Sequence, residues 1–268
     1  MTAFDQLELP AFPHAVVVTD ATGTRLTHGD TREAFPWASV TKLLTSAATL
    51  VAVSRHLVDL DDAAGPDGAT VRHLLAHASG VALDSGDLLS QPGRRRIYSN
   101  HGIELLAEHV AEATGTDFPD WLEDTVLLPL GLSSVVLDGS PAHGARGSAE
   151  DLAAFGRELL DPQVLDAALL AEATHVQFPG LPGVLPGFGR QDPNDWGLGF
   201  EIRGTKSPHW TGSGNSPETF GHFGQSGSFL WVDRPAGLAT VFLGAERFGE
   251  WAADLWPRLS DAVLADLR

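Results

Sequence analysis

The residue pattern of this chain changes character twice, and that constrains its fold more than any other feature. Near the start, HAVVVTDATGTRLTHG has the look of a β-hairpin, two short strands around the turn residues Asp20 to Gly23. Near the end, WGLGFEIR and GSFLWVDRPAGLATVFLGA supply three more strands, the last two turning near Asp233 to Gly237, followed by a helix from Gly249 to Leu267. Between these ends lie helical patterns and loops. The order predicts an α+β fold: a sheet built from both chain ends, with the middle of the chain folded as a helical lobe. The expected layout is a single domain over 1–268, with an α/β lobe from 1–62 and 194–268 and a helical lobe from 63–193.

The middle is punctuated clearly. Val40, Leu43, Leu44, Ala47, Leu50 and Val51 recur at helical spacing and predict a helix from about Ser39 to Arg55. TVRHLLAHASG is a short helix ended by Gly80, HGIELLAEHVAEATG an amphipathic one stopping at Gly115, and FPDWLEDTVLLPLGL another short one running into a turn. SAEDLAAFGRELL opens with Ser148 and Asp151 in a capping pattern. From Phe178 to Asn194, FPGLPGVLPGFGRQDPN carries so much Pro and Gly that no regular element is expected there. A loop of that length in a compact domain is usually functional or mobile.

Charge and cysteine content narrow the function. Asp plus Glu outnumber Lys plus Arg by 35 to 17, for a net charge of -18. Such a chain repels phosphate backbones and anionic bilayers, so neither nucleic acid nor membrane is an expected partner. Arg94-Arg95-Arg96 is the one basic run, and it reads as a solvated face. With no cysteine, disulfides, thiolate metal sites and cysteine nucleophiles are excluded. The N-terminal MTAFDQLELPAFPH has no basic region and no apolar run of signal-peptide length, and the protein is expected in the cytoplasm.

Three short motifs carry chemistry. The first is Ser39 with Lys42, at the start of the apolar helix. Positions i and i+3 share a helix face, so the hydroxyl and the amine can meet. Burial and the positive helix N-terminus both favour the neutral amine, which can take a proton from a serine. Read otherwise, Ser39 is a cap and Lys42 a solvated charge. The chain has only two lysines, however, and this is one of them. The second motif is Tyr98 with Asn100; Tyr98 is the only tyrosine in the chain. A phenol can shuttle a proton, and an amide can hold a lysine or a substrate carbonyl; a satisfied core tyrosine beside a turn is the plain alternative. The third is His222-Phe223-Gly224, entering a strand where glycine lets a substrate approach the backbone. His73 and His77 have the i, i+4 spacing of metal ligands, but no Glu follows His73 and no third ligand is evident. No metal and no cofactor is expected. GSGNS lacks the strand-to-helix context of a phosphate loop, and there is no G-x-S-x-G elbow.

Taken in order, Ser-x-x-Lys, Tyr-x-Asn and His-x-Gly resemble the three motifs of the serine β-lactamase and penicillin-binding-protein superfamily, above all its class C-like branch of esterases, D-aminopeptidases and DD-peptidases. The flanks agree: TVRHLLAHASGV, YSNHGIELLAEHVAEATG, LPLGL, GARGSAEDLAAFGREL and FGHFGQSGSFLWVD are each similar to a segment of that branch. The resemblance covers nearly the whole chain. It implies a β-lactamase-like α+β fold: an antiparallel sheet from both chain ends flanked by helices, a helical lobe in the middle, and the active site in the cleft between the lobes. It implies Ser39 as nucleophile, Lys42 and Tyr98 as proton-transfer groups, and Asn100 as the residue orienting Lys42 and substrate. It also implies His222 and Gly224 as a wall of the site, with the backbone N–H groups of Ser39 and Gln225 as the oxyanion hole.

Two departures bear on substrate. His222 stands where β-lactamases usually carry lysine, and Phe223 where K-T-G has a hydroxyl residue. His and Phe bind a carboxylate poorly at neutral pH. The expected function is therefore hydrolysis of a small ester or amide through a Ser39 acyl-enzyme. The alternatives are a DD-peptidase or β-lactamase, or a catalytically silent ligand-binding relative, against which the intact Ser39, Lys42 and Tyr98 count. Phe188, Trp196, Trp210 and the Pro/Gly segment are expected to shape the pocket.

Overall fold

The computed structural model describes residues 2–268. Six strands form one antiparallel sheet: β1 (His14–Asp20), β2 (Gly23–Gly29), β3 (Glu201–Ile202), β4 (Phe220–Gly224), β5 (Ser228–Asp233) and β6 (Leu238–Gly244). Their order across the sheet is β2-β1-β6-β5-β4-β3. The first strand of the chain lies against the last, with Val17 opposite Val241. The expected sheet from both chain ends is therefore what forms. FGHFG is a strand of its own rather than the entry to the next one, and WGLGFEIR contributes only the two residues of β3.

The central strands are buried on both faces, and alternation still sorts their side chains. Ala15, Val17, Leu230, Val232, Ala239, Val241 and Leu243 face one core. Val16, Val18, Phe229, Trp231 and Phe242 face the other. A period of two places successive residues on opposite faces. The second face is covered by the C-terminal helix Glu250–Leu267, through Ala252, Leu255, Trp256, Leu259 and Val263. The first face receives the helix Ala149–Leu160, whose Gly156 brings it close to Ala239 and Leu230. That helix begins as its sequence suggests: the Ser148 hydroxyl accepts the N–H of Asp151. Although it lies in the middle of the chain, it packs on β1, β5 and β6.

The helix Thr41–Ser54 is the centre of the molecule. Every residue from Thr41 to Ala52 is buried, not only the apolar stripe. Its polar residues are absorbed locally: Ser46 donates to the Lys42 carbonyl, Thr49 to that of Thr45, and Thr45 to that of Pro141. The remaining helical middle contains Val71–Leu75, Asn100–Thr114 and the helical run Phe118–Leu130. Gly115 ends the second of these in the left-handed conformation, with φ 68°, where a residue with a Cβ is strained.

Two expectations are corrected here. The Phe178–Asn194 segment is not without regular structure: Gly183–Leu185 pairs antiparallel with Gly189–Gln191. Gly187, with φ +77°, makes the turn that the glycines permit. Arg96 is not part of a solvated face; it is 3% exposed. Its guanidinium donates to the carbonyls of Ala76, Gln177, Phe178 and Asn194. Four acceptors converging on one fork are what allow an arginine to be buried without a carboxylate in contact. Among the described residues, no helix is long and apolar enough to cross a membrane.

Candidate active site

Ser39 sits in a single turn of 3-10 helix, Ala38–Val40, that runs into the buried helix. Ala38, just before it, has φ 44°. A non-glycine residue in that region is strained, and such strain is held only where the surroundings over-determine it. Here they do. The Ser228 hydroxyl donates to the Trp37 carbonyl at 2.8 Å and the Ser226 hydroxyl to that of Pro36 at 2.7 Å. The Trp37 N–H donates to Ala145 O and its indole to Gly147 O. The turn after β4 is thereby fastened to the residues leading into Ser39. A Cβ on Gly224 would lie 2.3 Å from the Trp37 carbonyl oxygen and 3.1 Å from the Ala38 Cβ. The glycine of His-x-Gly is therefore required by the approach of β4 to the Ser39 segment, which carries the backbone N–H of Gln225 up to the site.

Lys42 lies one helical step below Ser39 and is wholly buried. Its Nζ is 2.6 Å from Asn100 Oδ1, 2.8 Å from the Ala142 carbonyl and 3.2 Å from Ser39 Oγ. Burial brings its pKa down from 10.5 to about 7, against the pull of Asp84 and Glu104. A neutral amine has two protons and one lone pair. Asn100 and Ala142 can only accept, so they take the two protons, and the lone pair is left for the Ser39 hydroxyl. The Asn100 amide is fixed in turn, its Nδ2 donating to Asp84 Oδ1 at 2.7 Å.

Tyr98 completes the group. Lys42 Nζ stands 4.8 Å from the centre of its ring. The phenol is buried, and its oxygen has no hydrogen-bond partner of good geometry. Burial raises its pKa well above the ordinary value, and the adjacent Ser39 hydroxyl offsets only part of that rise. The phenol thus stays protonated and can give a proton more readily than take one. Around it are the rings of His77 at 4.7 Å, Trp196 at 5.9 Å and His222 at 5.6 Å.

The protonation of both histidines follows from their partners. His222 Nδ1 is 2.6 Å from the Phe223 carbonyl, which can only accept, so the proton is on Nδ1 and Nε2 is a bare acceptor. Burial, and next Lys42, lower its pKa to about 3. His77 Nδ1 accepts the Ser99 N–H, so its Nε2 carries the proton; burial holds this ring neutral as well. His73 does not join it. Its Nδ1 pairs with Thr70 Oγ1 and its ring lies against Phe178. The i, i+4 spacing thus serves two separate environments, and among the described residues no group of three or more His, Cys, Asp or Glu side chains gathers.

The pocket beside Ser39 has a volume of about 40 Å³, walled by Tyr98, Trp196, Glu201, His222, Phe223, Gln225, Leu185 and Pro186. A larger surface groove of about 530 Å³, beside Glu104 and Asp117, is lined by no serine, threonine, histidine or lysine. The structure brings Ser39, Tyr98, Trp196, His222 and Gln225 to one pocket, with Lys42 and Asn100 behind. Phe188 and Trp210 prove to be supports instead. Phe188 packs on Phe223 and Phe248, and Trp210 on Phe223 and Phe229. Leu185 and Pro186 come from the Pro/Gly segment expected to shape the pocket; Glu201, Ser226 and Ser228 were missed, and nothing in the local pattern sets these three apart.

Glu201 belongs to a buried network that uses the other lysine. Lys206 Nζ donates to Glu201 Oε1 and to the carbonyls of Asp195 and Ile202. Trp210 Nε1 and His209 Nε2 donate to the same carboxylate. The His209 Nδ1 accepts the Thr211 N–H, so this histidine is neutral. Burial alone would raise the Glu201 pKa, but Lys206 and then His209 hold it well below the usual carboxylate range. Every donor of Lys206 is spent, so no free cation faces the pocket from this side.

A family profile described as Beta-lactamase matches residues 12–264. Among solved structures, a beta-lactamase from Mycobacterium bovis is 54% identical, with a TM-score of 0.97 over 99% of both chains. Simvastatin synthase (LovD) from Aspergillus terreus, at 18% identity, shares the fold with a TM-score of 0.77 over 95% of this chain and 94% of its own. EstCE1, described as a hydrolase with promiscuous acyltransferase activity, does so at 16% identity and a TM-score of 0.76 over 94% of each chain. No curated protein matches the chain.

Proposed function

Because this chain belongs to the beta-lactamase family, we propose that it is a serine hydrolase of the class C-like branch that cleaves a small ester or amide. The observation that carries this reading is the environment of Lys42. It is a fully buried amine with two fixed acceptors and its third direction on Ser39 Oγ. Ser39 attacks the substrate carbonyl as its proton passes to Lys42 Nζ. The oxyanion is held by the backbone N–H groups of Ser39 and Gln225. The Tyr98 hydroxyl, kept protonated by burial, protonates the leaving alcohol or amine. The Lys42 ammonium then gives the Tyr98 oxygen the proton it took from Ser39, which restores the phenol and the neutral amine. Water then attacks the Ser39 ester as Lys42 takes its proton; the Ser39 Oγ–acyl bond breaks, Lys42 returns that proton to Ser39 Oγ, and the acid leaves. Asn100 positions Lys42; His222 and Gly224 form the wall opposite.

A β-lactamase or DD-peptidase activity is the second reading, favoured by the 54% identity to a beta-lactamase. The pocket supports it less. A carboxylate-bearing substrate needs a cation or a hydroxyl donor at the third motif. Here His222 is neutral down to a pH of about 3, Phe223 is apolar, and Lys206 is saturated.

The test is covalent. Incubation with a fluorophosphonate should add one adduct, mapped to Ser39 by peptide mass, and Ser39→Ala should lose both adduct and ester turnover. A label on another serine overturns the assignment. In parallel, kcat/KM for phenyl acetate should exceed that for nitrocefin; the reverse order selects the second reading.

A further inference from the structure

The hairpin Gly183–Gln191 roofs the Ser39 pocket. Leu185 and Pro186 line it, Leu185 being 1% exposed while its neighbour Val184 is 57% exposed. One strand residue turns in and the next turns out, as a strand's period of two dictates. The roof is built, not draped. The Arg96 N–H donates to the Pro182 carbonyl, and its guanidinium holds the carbonyls of Gln177, Phe178 and Asn194 at both ends of the segment. A Cβ on Gly183 would meet the Arg96 carbonyl oxygen at 2.5 Å, so the hairpin lies hard against that residue. At the turn, Phe188 packs on Phe223 and Phe248.

Under this roof the space is about 40 Å³, room for roughly three water-sized groups. Two groups could occupy it. The leaving group departs before deacylation, and its position must then admit water, so it belongs on the open side. The acyl group stays bonded to Ser39 through both steps and belongs under the roof.

We propose that the hairpin Gly183–Gln191, through Leu185 and held in place by Arg96, is the acyl-length filter of this site, and that the substrates are esters or amides of short acids of about two to four carbons. This rests on the Ser39 acyl-enzyme reading. Leu185 is a specificity-determining residue, and Arg96 is a positioning residue that acts through the hairpin.

The experiment is a chain-length series of p-nitrophenyl esters. In the wild-type protein kcat/KM for acetyl to butyryl esters should exceed that for octanoyl by about 10²-fold or more. With the acetyl group kept, lengthening the alcohol from ethyl to octyl should change it less than about threefold. Leu185→Ala, and Leu185→Val as the milder change, should raise the octanoyl-to-acetyl ratio of kcat/KM about tenfold or more. Arg96→Lys, which keeps the charge but not the fork, should shift the length profile the same way. A wild-type enzyme indifferent to acyl length overturns the proposal. So does a length limit on the alcohol side, or folded Leu185 variants with an unchanged profile. If no ester of any length reacts and no fluorophosphonate labels Ser39, the acyl-enzyme reading itself fails and this proposal falls with it. That outcome is distinct from a labelled, active enzyme with no length preference.

Discussion

Lys42→Met tests the base and its burial together. The side chain is of similar length and apolar, so it fills the same space without a charge. In the wild type, Lys42 titrates near 7 in the folded chain and near 10.4 in the unfolded chain. Between these values the unfolded state binds more protons, so wild-type stability rises with pH there; below about pH 7 the folded state must bury an ammonium. From pH 7 to pH 9 this group alone contributes about 2 kcal/mol of the rise, at ~1.4 kcal/mol per pH unit once the folded amine is neutral. Lys206 adds its own pH dependence to both proteins and cancels in the difference. Urea unfolding of wild type and Lys42→Met at pH 7 and pH 9 should therefore give a stability difference that moves by about 2 kcal/mol toward the wild type at the higher pH. Activity should follow the same group. Wild-type kcat/KM should climb with pH through an apparent pKa near 7, as Lys42 loses its proton. Lys42→Met and Lys42→Arg should each lose on the order of 10²-fold or more, since arginine stays protonated and cannot act as a base. A stability difference equal at both pH values, with kcat/KM flat from pH 5 to 9, would refute the neutral amine. A folded, active Lys42→Arg enzyme would move the base elsewhere, with Tyr98 the first candidate.

Three further outcomes follow from the geometry. Gly224→Ala places a Cβ 2.3 Å from the Trp37 carbonyl oxygen, so turnover should fall about 10²-fold with the circular dichroism spectrum retained, by displacement of an oxyanion donor. Asn100→Leu removes an acceptor of Lys42 and should lower kcat by about tenfold or more in steady-state ester assays; an unchanged kcat would show that Asn100 does not position the base. Glu201→Gln strands the buried Lys206 ammonium and should cost roughly 3–5 kcal/mol in urea unfolding, much of it regained when Lys206→Met is added. No regain would mean that the carboxylate itself, through His209 and Trp210, carries the stability.

Much of this was legible in the sequence because it depends on neighbours in the chain. The β-hairpin at His14–Gly29 follows from turn residues between two apolar runs, and the stop at Gly115 from the need for a left-handed residue. The cap at Ser148 and the Ser39–Lys42 approach follow from the three-residue spacing of a helix face. The sheet from both ends was forced by strands that had no other partners. The three motifs named Ser39, Lys42, Tyr98, Asn100, His222 and Gly224 before any coordinate placed them.

What the sequence could not show is decided by contacts across large separations. Arg96 sits in a basic triplet, and only the four carbonyls of Ala76, Gln177, Phe178 and Asn194 turn it into a buried clamp. The Pro/Gly segment looks irregular because its regularity is a three-residue strand pair held by that clamp and by Phe188, not by propensity. Ser226 is an ordinary turn residue and Ser228 an ordinary strand residue until the sheet brings them to Pro36 and Trp37, 190 and 191 positions earlier in the chain. The pKa of Lys42 is the sharpest case. The spacing puts an amine beside a hydroxyl, but its charge depends on desolvation by the whole fold. Local chemistry is written in order along the chain; burial is a property of everything else that packs around it.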